Sequence, residues 1–375
     1  MSLFAATYKI SGAWFDIGRV DSLFLFLLLI GLFLLKFKNT IWMFILSAII
    51  FSLAFLTKQT ALIIFLPTII YCILVKRRNG FYYIGTFILL IISSTILFNI
   101  LHNGWYTYYV FNLPSQHPIL FDMISHFWIT DILLPLSVGF FLSIYYLYFL
   151  FTKSIKKINN IISYCNGNEN LIFYSLFFLG MVGASFFSRI HQGGYDNVLI
   201  PAYAIISILF GLSLHQILNN NKKIQKNIIL QTFVLIICIL QFCCLFYNPF
   251  NQLPTNKDLV AGENLVKELK NIEGEVFIPF HGYLSIIADK KNYAHQMAIY
   301  DIIRANDDDI KKELNDEIKN SMQDKKFDAI IIDHPWFFQE LIDANYNKKE
   351  NVFNDNEVFF PKTGAKLRPE YIYKI

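Results

Sequence analysis

Charge is what this sequence has least of. Of its 375 residues 16% are charged and 55% are hydrophobic, with a mean hydropathy of +0.44. A soluble domain carries about 25% charged residues. The deficit excludes a disordered chain, a nucleic-acid-binding arm and an ordinary cytosolic enzyme. Cysteine is scarce too: Cys72, Cys165, Cys238, Cys243 and Cys244 are the whole set. Nothing after residue 244 can be stapled by a disulfide, and no Cys-x-x-Cys pair or Cys/His run points to structural zinc. There is no Walker loop, dinucleotide fingerprint, His-Glu-x-x-His or Gly-x-Ser-x-Gly motif. The first twenty residues do not read as a secretory signal. They carry Gly12, Trp14, Asp16 and Arg19, with Asp21 next.

The charge that is present is unevenly placed. Residues 1–250 hold 15 Lys+Arg and 6 Asp+Glu, and residues 251–375 hold 17 and 22. The first part is therefore net positive and apolar, the second net negative and polar, which divides the chain into a membrane region, 1–250, and a soluble domain, 251–375. A bilayer core needs roughly 20 mostly apolar residues per helix. Eight stretches meet this when their flanks are included: 22–37, 40–56, 60–75, 81–101, 129–151, 171–188, 198–218 and 228–247. Eleven cations fall in alternate loops: Lys36, Lys38, Lys76, Arg77, Arg78, Lys153, Lys156, Lys157, Lys222, Lys223 and Lys226. The intervening loops hold only Lys58 and Arg189. The positive-inside rule makes the eleven-cation side cytoplasmic. Seven of the eight histidines then face outward, all but His215, together with Asp16, Asp21, Asp122, Asp131 and Asp196.

The polar third reads as a small α/β domain. Thr255 and Asp258 have the spacing of a capping box, with Asp in place of the usual Glu, opening a helix to about Asn271. Glu275–Phe280, Asp328–Asp333 and Tyr371–Lys374 read as strands, and Asp308–Lys325 as a charged helix. Asp333-His334-Pro335 falls at a strand end, a common ligand position in open α/β sheets, although a plain structural strand end explains it as well.

Four constellations on the outward side can carry chemistry. The first is Gly12-Ala-Trp-Phe-Asp16-Ile-Gly-Arg19-Val-Asp21-Ser22. Arg19 can grip a phosphate, and Asp16 or Asp21 can accept a proton; the alternative is a local ion pair with Asp21 at a helix N-terminus. The second is Thr57-Lys58-Gln59-Thr60, in which Lys58 suits an anionic head group or simply snorkels to the interface. The third is the loop from His102 to Trp128, with Trp105, Tyr106, Tyr108, Tyr109 and His117. Its aromatics fit an interfacial belt, a lipid-tail groove or a sugar-stacking surface, and His117 can contact a phosphate or a metal. The fourth is Ser188-Arg-Ile-His-Gln-Gly-Gly-Tyr-Asp-Asn197. Nine of its ten residues are polar or glycine, more than a turn requires. Arg189, His191, Tyr195, Asp196 and Asn197 supply donors and acceptors for phosphate and hydroxyl groups, while capping of the next helix is the structural alternative.

Taken in order, these four motifs, with Pro114-Ser-Gln-His117-Pro and the continuation Val-Leu-Ile-Pro-Ala-Tyr203, resemble the bacterial membrane glycosyltransferases of family 39, relatives of protein O-mannosyltransferases and lipid A aminoarabinose transferases. The resemblance implies a GT-C-like polytopic α-helical membrane protein of about eight transmembrane helices with a C-terminal soluble α/β domain. It implies transfer of a sugar from a polyprenyl-phosphate donor to a lipid, glycan or protein acceptor on the outer face of the bacterial cytoplasmic membrane. Carried over by position, Asp16 and Asp21 become the catalytic carboxylates, Arg19, Lys58 and Arg189 the donor-phosphate contacts, and His117, His191, Tyr195, Asp196 and Asn197 the substrate contacts. A divalent metal ion would sit at His117. The family's general base, an Asp in the first outer loop, has no counterpart here. The resemblance implies that it lies upstream of Met1, and hence that residues 1–375 alone are weakly active or inactive. Two rivals from other classes remain: a transporter or flippase of lipid-linked saccharide, which would need polar residues at mid-membrane and inverted repeats, and a non-catalytic membrane scaffold.

Overall fold

A computed structural model describes residues 1–154, 161–220, 228–305, 308–336, 338–346 and 348–375. Lys156, Lys157, Lys222, Lys223 and Lys226 of the expected cytoplasmic loops lie outside the described residues. The chain divides into two units, Met1–Val110 with Pro118–Tyr247, and Phe111–His117 with Asn248–Ile375.

The first unit is helical. After a short α1 (Ser2–Ala6) come α2 (Asp21–Phe37), α3 (Ile41–Thr57), α4 (Ala61–Tyr71), α5 (Arg77–Leu101), α6 (Leu134–Ser154), α7 (Glu169–Ile190), α8 (Ile200–Asn220) and α9 (Ile228–Cys244). Among the described residues five helical runs are long and apolar enough to cross a membrane: Ala61–Leu101, Asp122–Ser154, Glu169–Ile190, Asp196–Asn219 and Ile228–Gln252. This is the make-up of a polytopic helical membrane protein. The eight stretches read from sequence map onto fewer such runs for two reasons. The first two helices are only 17 residues each. The third and fourth stretches form one run, joined through a π-helical turn, Cys72–Lys76. That run doubles back at Arg77, whose φ of 45° breaks the helix: Phe65 stacks on Phe87 with ring centroids 3.6 Å apart, and the Tyr83 hydroxyl donates to Thr68 Oγ1 at 3.1 Å.

Packing follows residue spacing. Phe24, Leu28, Leu32 and Leu35 line the buried face of α2, and Phe44, Ala48, Phe51 and Phe55 that of α3, each at helical intervals of three or four. Helix α8 is buried on every side from Ile200 to Ile206 and forms the centre. Outer helices instead expose apolar stripes: Leu89, Ile92, Ile96 and Ile100 on α5 are all more than half exposed. A surface of that kind suits lipid, not water. Pro135 and the non-helical Leu136 kink α6 and interrupt its backbone hydrogen bonds. Buried Gln241 of α9 repairs the break: its Oε1 accepts from Val138 N and Gly139 N at 3.0 and 3.2 Å, and its Nε2 donates to Pro135 O at 2.6 Å.

At the end of the bundle opposite Asp21, Lys36 and Lys76 turn inward onto Glu169, at 3.2 and 3.0 Å, beside the Tyr71 hydroxyl. By sequence both are cations of the alternate, cytoplasmic loops. Glu169 starts α7 and recruits them, so they tie α2, the π-helical turn and α7 together.

The second unit contains α10 (Asn256–Asn271), β1 (Val276–Phe277), α11 (Gly282–Ile287), α12 (Gln296–Ile303), α13 (Asp308–Gln323), β2 (Ala329–Ile332), α14 (Gln339–Asn345), β3 (Lys348–Asn351) and β4 (Tyr371–Lys374). The strands form one sheet in the order β1-β2-β4-β3, with β1 and β2 parallel and the other pairs antiparallel. Alternation along β2 sends Ile330 and Ile332 to one core and Ala329 and Ile331 to the other, so the strand is buried on both faces. The capping box forms: Thr255 N donates to Asp258 Oδ2 at 2.7 Å and Asp258 N to Thr255 Oγ1 at 3.3 Å. Strand β1 is shorter than the expected Glu275–Phe280, because Pro279 has no N–H to give a ladder.

Candidate functional site

Asp21 opens α2 with 2% of its side chain exposed. Its Oδ1 accepts from Lys58 Nζ at 2.6 Å and from Asn197 Nδ2 at 2.9 Å. Arg19 Nε stands 3.7 Å from Oδ2, which accepts no hydrogen bond. Three motifs separated by 37 and 139 residues in sequence thus meet on one carboxylate. Lys58, where α3 ends, does not snorkel outward; it is the half-buried partner of Asp21, with 17% of its side chain exposed. Arg19 is different: 54% of its side chain is exposed, and its guanidinium lies 4.6 Å from the Trp14 ring centroid.

A second cluster forms around Arg189, near the end of α7. Its Nε and Nη2 clamp Asp131 at 2.8 and 3.1 Å. Its Nη1 donates to Gly194 O at 2.9 Å, and Nη2 lies 3.2 Å from Asp196. Most of the guanidinium's donors are therefore spent on the protein. The loop that makes this possible needs its glycines. Gly193 has φ 94°, and a Cβ on Gly194 would meet Ser188 O at 2.2 Å. Loop 118–120 pairs with loop 190–192 through Leu120 N to Ile190 O at 2.8 Å and Gln192 N to Pro118 O at 3.0 Å, with Ile119 bridging His191. His191 is thus a strand-like rung, and Tyr195 stays exposed.

By sequence Asp131 is no more than an outward-facing acid; the structure places it at the centre of this cluster. It sits in a π-helical turn, Phe127–Leu133, a distortion common at functional sites. The Tyr203 hydroxyl donates to its backbone oxygen at 2.9 Å. His126 Nδ1 approaches its Oδ1 at 3.4 Å without making a hydrogen bond. The available signal was an acid inside an otherwise apolar stretch. Asp196 and Asn197 are adjacent in sequence, one on each cluster, and join the two. With neutral histidine the Asp21 side carries one excess positive charge, from Arg19, Lys58 and Asp21. The Asp131 side carries one excess negative charge, from Arg189, Asp131 and Asp196.

The remaining candidates lie elsewhere. Asp16 is exposed and accepts from the Tyr8 hydroxyl with both oxygens at 3.0 Å. His117 belongs to the second unit, where Arg304 Nε donates to its Nε2 at 3.4 Å. A guanidinium beside that nitrogen disfavours a bound cation, and among the described residues no group of three or more His, Cys, Asp or Glu side chains is arranged to hold a metal ion. His117 Nε2 is engaged by Arg304. Between Leu101 and Val110 lies an open surface hollow of about 560 Å³ lined by Trp105, Tyr106 and Tyr109. At the end of β2, Asp333 Oδ2 lies 2.8 Å from His281 Nε2. Burial pushes the Asp333 carboxyl above its ordinary range, and His281 opposes that shift. No protein-family model, curated protein or solved structure matches this chain.

Proposed function

We propose that this chain is a membrane glycosyltransferase of the GT-C kind. It moves a sugar from a polyprenyl-phosphate donor to a lipid, glycan or protein acceptor at the outer face of a bacterial cytoplasmic membrane. On this reading residues 1–250 cross the membrane eight times, and residues 251–375 form an α/β domain outside the cytoplasm. The observation that carries the reading is the paired charge of the two clusters, a cationic half and an anionic half joined through Asp196-Asn197.

The cationic half receives the donor phosphate. Arg19 is the open donor there, because half its side chain is exposed and its carboxylate contact is long. Lys58, held by Asp21, adds fixed positive charge where the leaving phosphate develops negative charge. Asp21 positions Lys58 and is too enclosed to take a proton from an acceptor. Arg189, with most of its donors committed, frames the site and holds Asp131 and Asp196. In the reaction the acceptor hydroxyl oxygen bonds to the anomeric carbon. The sugar–phosphate bond breaks with its electrons on the phosphate oxygen, and the hydroxyl proton passes to a carboxylate. Asp16, exposed, and Asp196, with about half of its side chain exposed, are the carboxylates that receive it. The aromatic cavity at Leu101–Val110 seats the isoprenoid chain.

Titration of undecaprenyl phosphate into the chain in lipid nanodiscs tests this. Arg19→Ala is expected to weaken binding about tenfold, the worth of one charge-assisted contact at about 1.4 kcal/mol. Equal binding by wild type and variant, or none by either, contradicts the assignment.

A further inference from the structure

The second unit holds a cavity that none of the residues above uses. Its volume is about 550 Å³, within the range of roughly 300–1,000 Å³ typical of small-molecule sites. One wall is a stripe of α10 in which Asn256, Val260, Asn264 and Glu268 recur every four residues, the spacing that puts side chains on one helix face. The facing wall is the segment after β3, with Phe353 and Asn354. The walls are fixed to each other. Asp258 of α10 accepts from Phe359 N at 2.8 Å and stands 3.5 Å from Lys362. The Phe359 ring lies so close to α10 that a Cβ on Gly262 would meet it at 2.5 Å. The two walls of this open groove are therefore held together by the fold.

Its chemistry is that of a neutral polar ligand. The Asn256, Asn264 and Asn354 amides each donate and accept, matching hydroxyl groups that do both. Val260 and Phe353 offer an apolar surface for the C–H face of a ring. Nothing there suits an anion: Lys257 is outweighed by Glu268 and Asp355, and Glu268 itself lies 3.7 Å from Lys374.

We infer that this cavity is a saccharide-binding site that holds a neutral, hydroxyl-rich ligand. The inference rests on the transferase reading only in naming that ligand as a glycan acceptor or its product. The binding itself is measured without any transfer reaction. The test is saturation-transfer NMR on the full chain in nanodiscs free of glycosidic detergent, with maltotetraose and chitotetraose as probes. The expected result is saturable binding of at least one probe, weakened at least tenfold by Asn264→Ala with Asn354→Ala, both exposed positions, and abolished by Val260→Trp, which fills the hollow. Failure of both probes to bind wild type, or binding unchanged in both variants, overturns the inference. Saccharide binding without undecaprenyl phosphate binding sinks the transferase reading and leaves the site standing, and the reverse result sinks only the site.

Discussion

Replacing Lys58 by methionine removes the cation and keeps the apolar stem. It strands Asp21, whose side chain is 2% exposed, with only Asn197 at 2.9 Å and Arg19 at 3.7 Å for company. Breaking a buried ion pair by deleting one partner costs about 3–5 kcal/mol, because the other charge is left uncompensated. At roughly 2 °C per kcal/mol for a chain of this size, the melting temperature should fall by about 6–10 °C. Asp21→Asn should cost less, about 1–3 kcal/mol: the amide oxygen still accepts from Asn197, and Lys58, 17% exposed, can reach water. The double variant carries no stranded charge and should be no worse than Asp21→Asn alone, which makes the two sites strongly non-additive. The assay is thermal unfolding of the four proteins in one detergent, followed by intrinsic fluorescence. Additive losses, or a Lys58→Met shift below about 1 °C, would refute the reasoning, because a pair this enclosed cannot be energetically silent.

Gly194→Ala should destabilise by about 1–3 kcal/mol through the clash with Ser188 O, whereas Gly18→Ala, with no atom within 4 Å of the new Cβ, should leave thermal unfolding unchanged. Gln241→Leu orphans the N–H groups of Val138 and Gly139 and the oxygen of Pro135; a loss of about 1–3 kcal/mol is expected in the same assay. Asp258→Ala should cost about 1 kcal/mol near neutral pH for the lost cap. Against burial, which raises it, the Asp258 carboxyl is held down at about 2 by the Thr255 N–H and hydroxyl, the Phe359 N–H and Lys362. A depressed folded-state value means that the stabilisation is complete above the ordinary carboxylate value of about 3.9. It then fades as pH falls toward 2, so wild type and variant should converge in acid unfolding curves.

Much of the fold was legible because lipid imposes a simple pattern. Apolar stretches and the Thr255–Asp258 signal are local, and local chemistry can be read from neighbouring letters. The polar motifs at 12–22, 57–60 and 188–197 were legible for the same reason, since clustered polar residues between apolar runs demand an explanation. What they touch was not legible. Asp131 reaches Arg189 across 58 residues, and its orientation depends on a π-helical turn that no spacing rule announces. The inward turn of Lys36 and Lys76 onto Glu169 is likewise a tertiary event; by sequence both are simply cations at a loop. His117 is a further case of a tertiary partner. Its Pro-x-x-His-Pro setting suggested a ligand, yet its neighbour is Arg304, 187 residues on.

The central claim is that Arg19 and Lys58 receive a polyprenyl phosphate, and the most direct measurement is a cryo-electron microscopy map of the chain in nanodiscs with undecaprenyl phosphate. The account predicts phosphate density within hydrogen-bonding reach of the Arg19 guanidinium and the Lys58 ammonium, with the isoprenoid chain against Trp105 and Tyr109. Phosphate density at the Lys36–Lys76–Glu169 end instead, or none near Arg19, would contradict it.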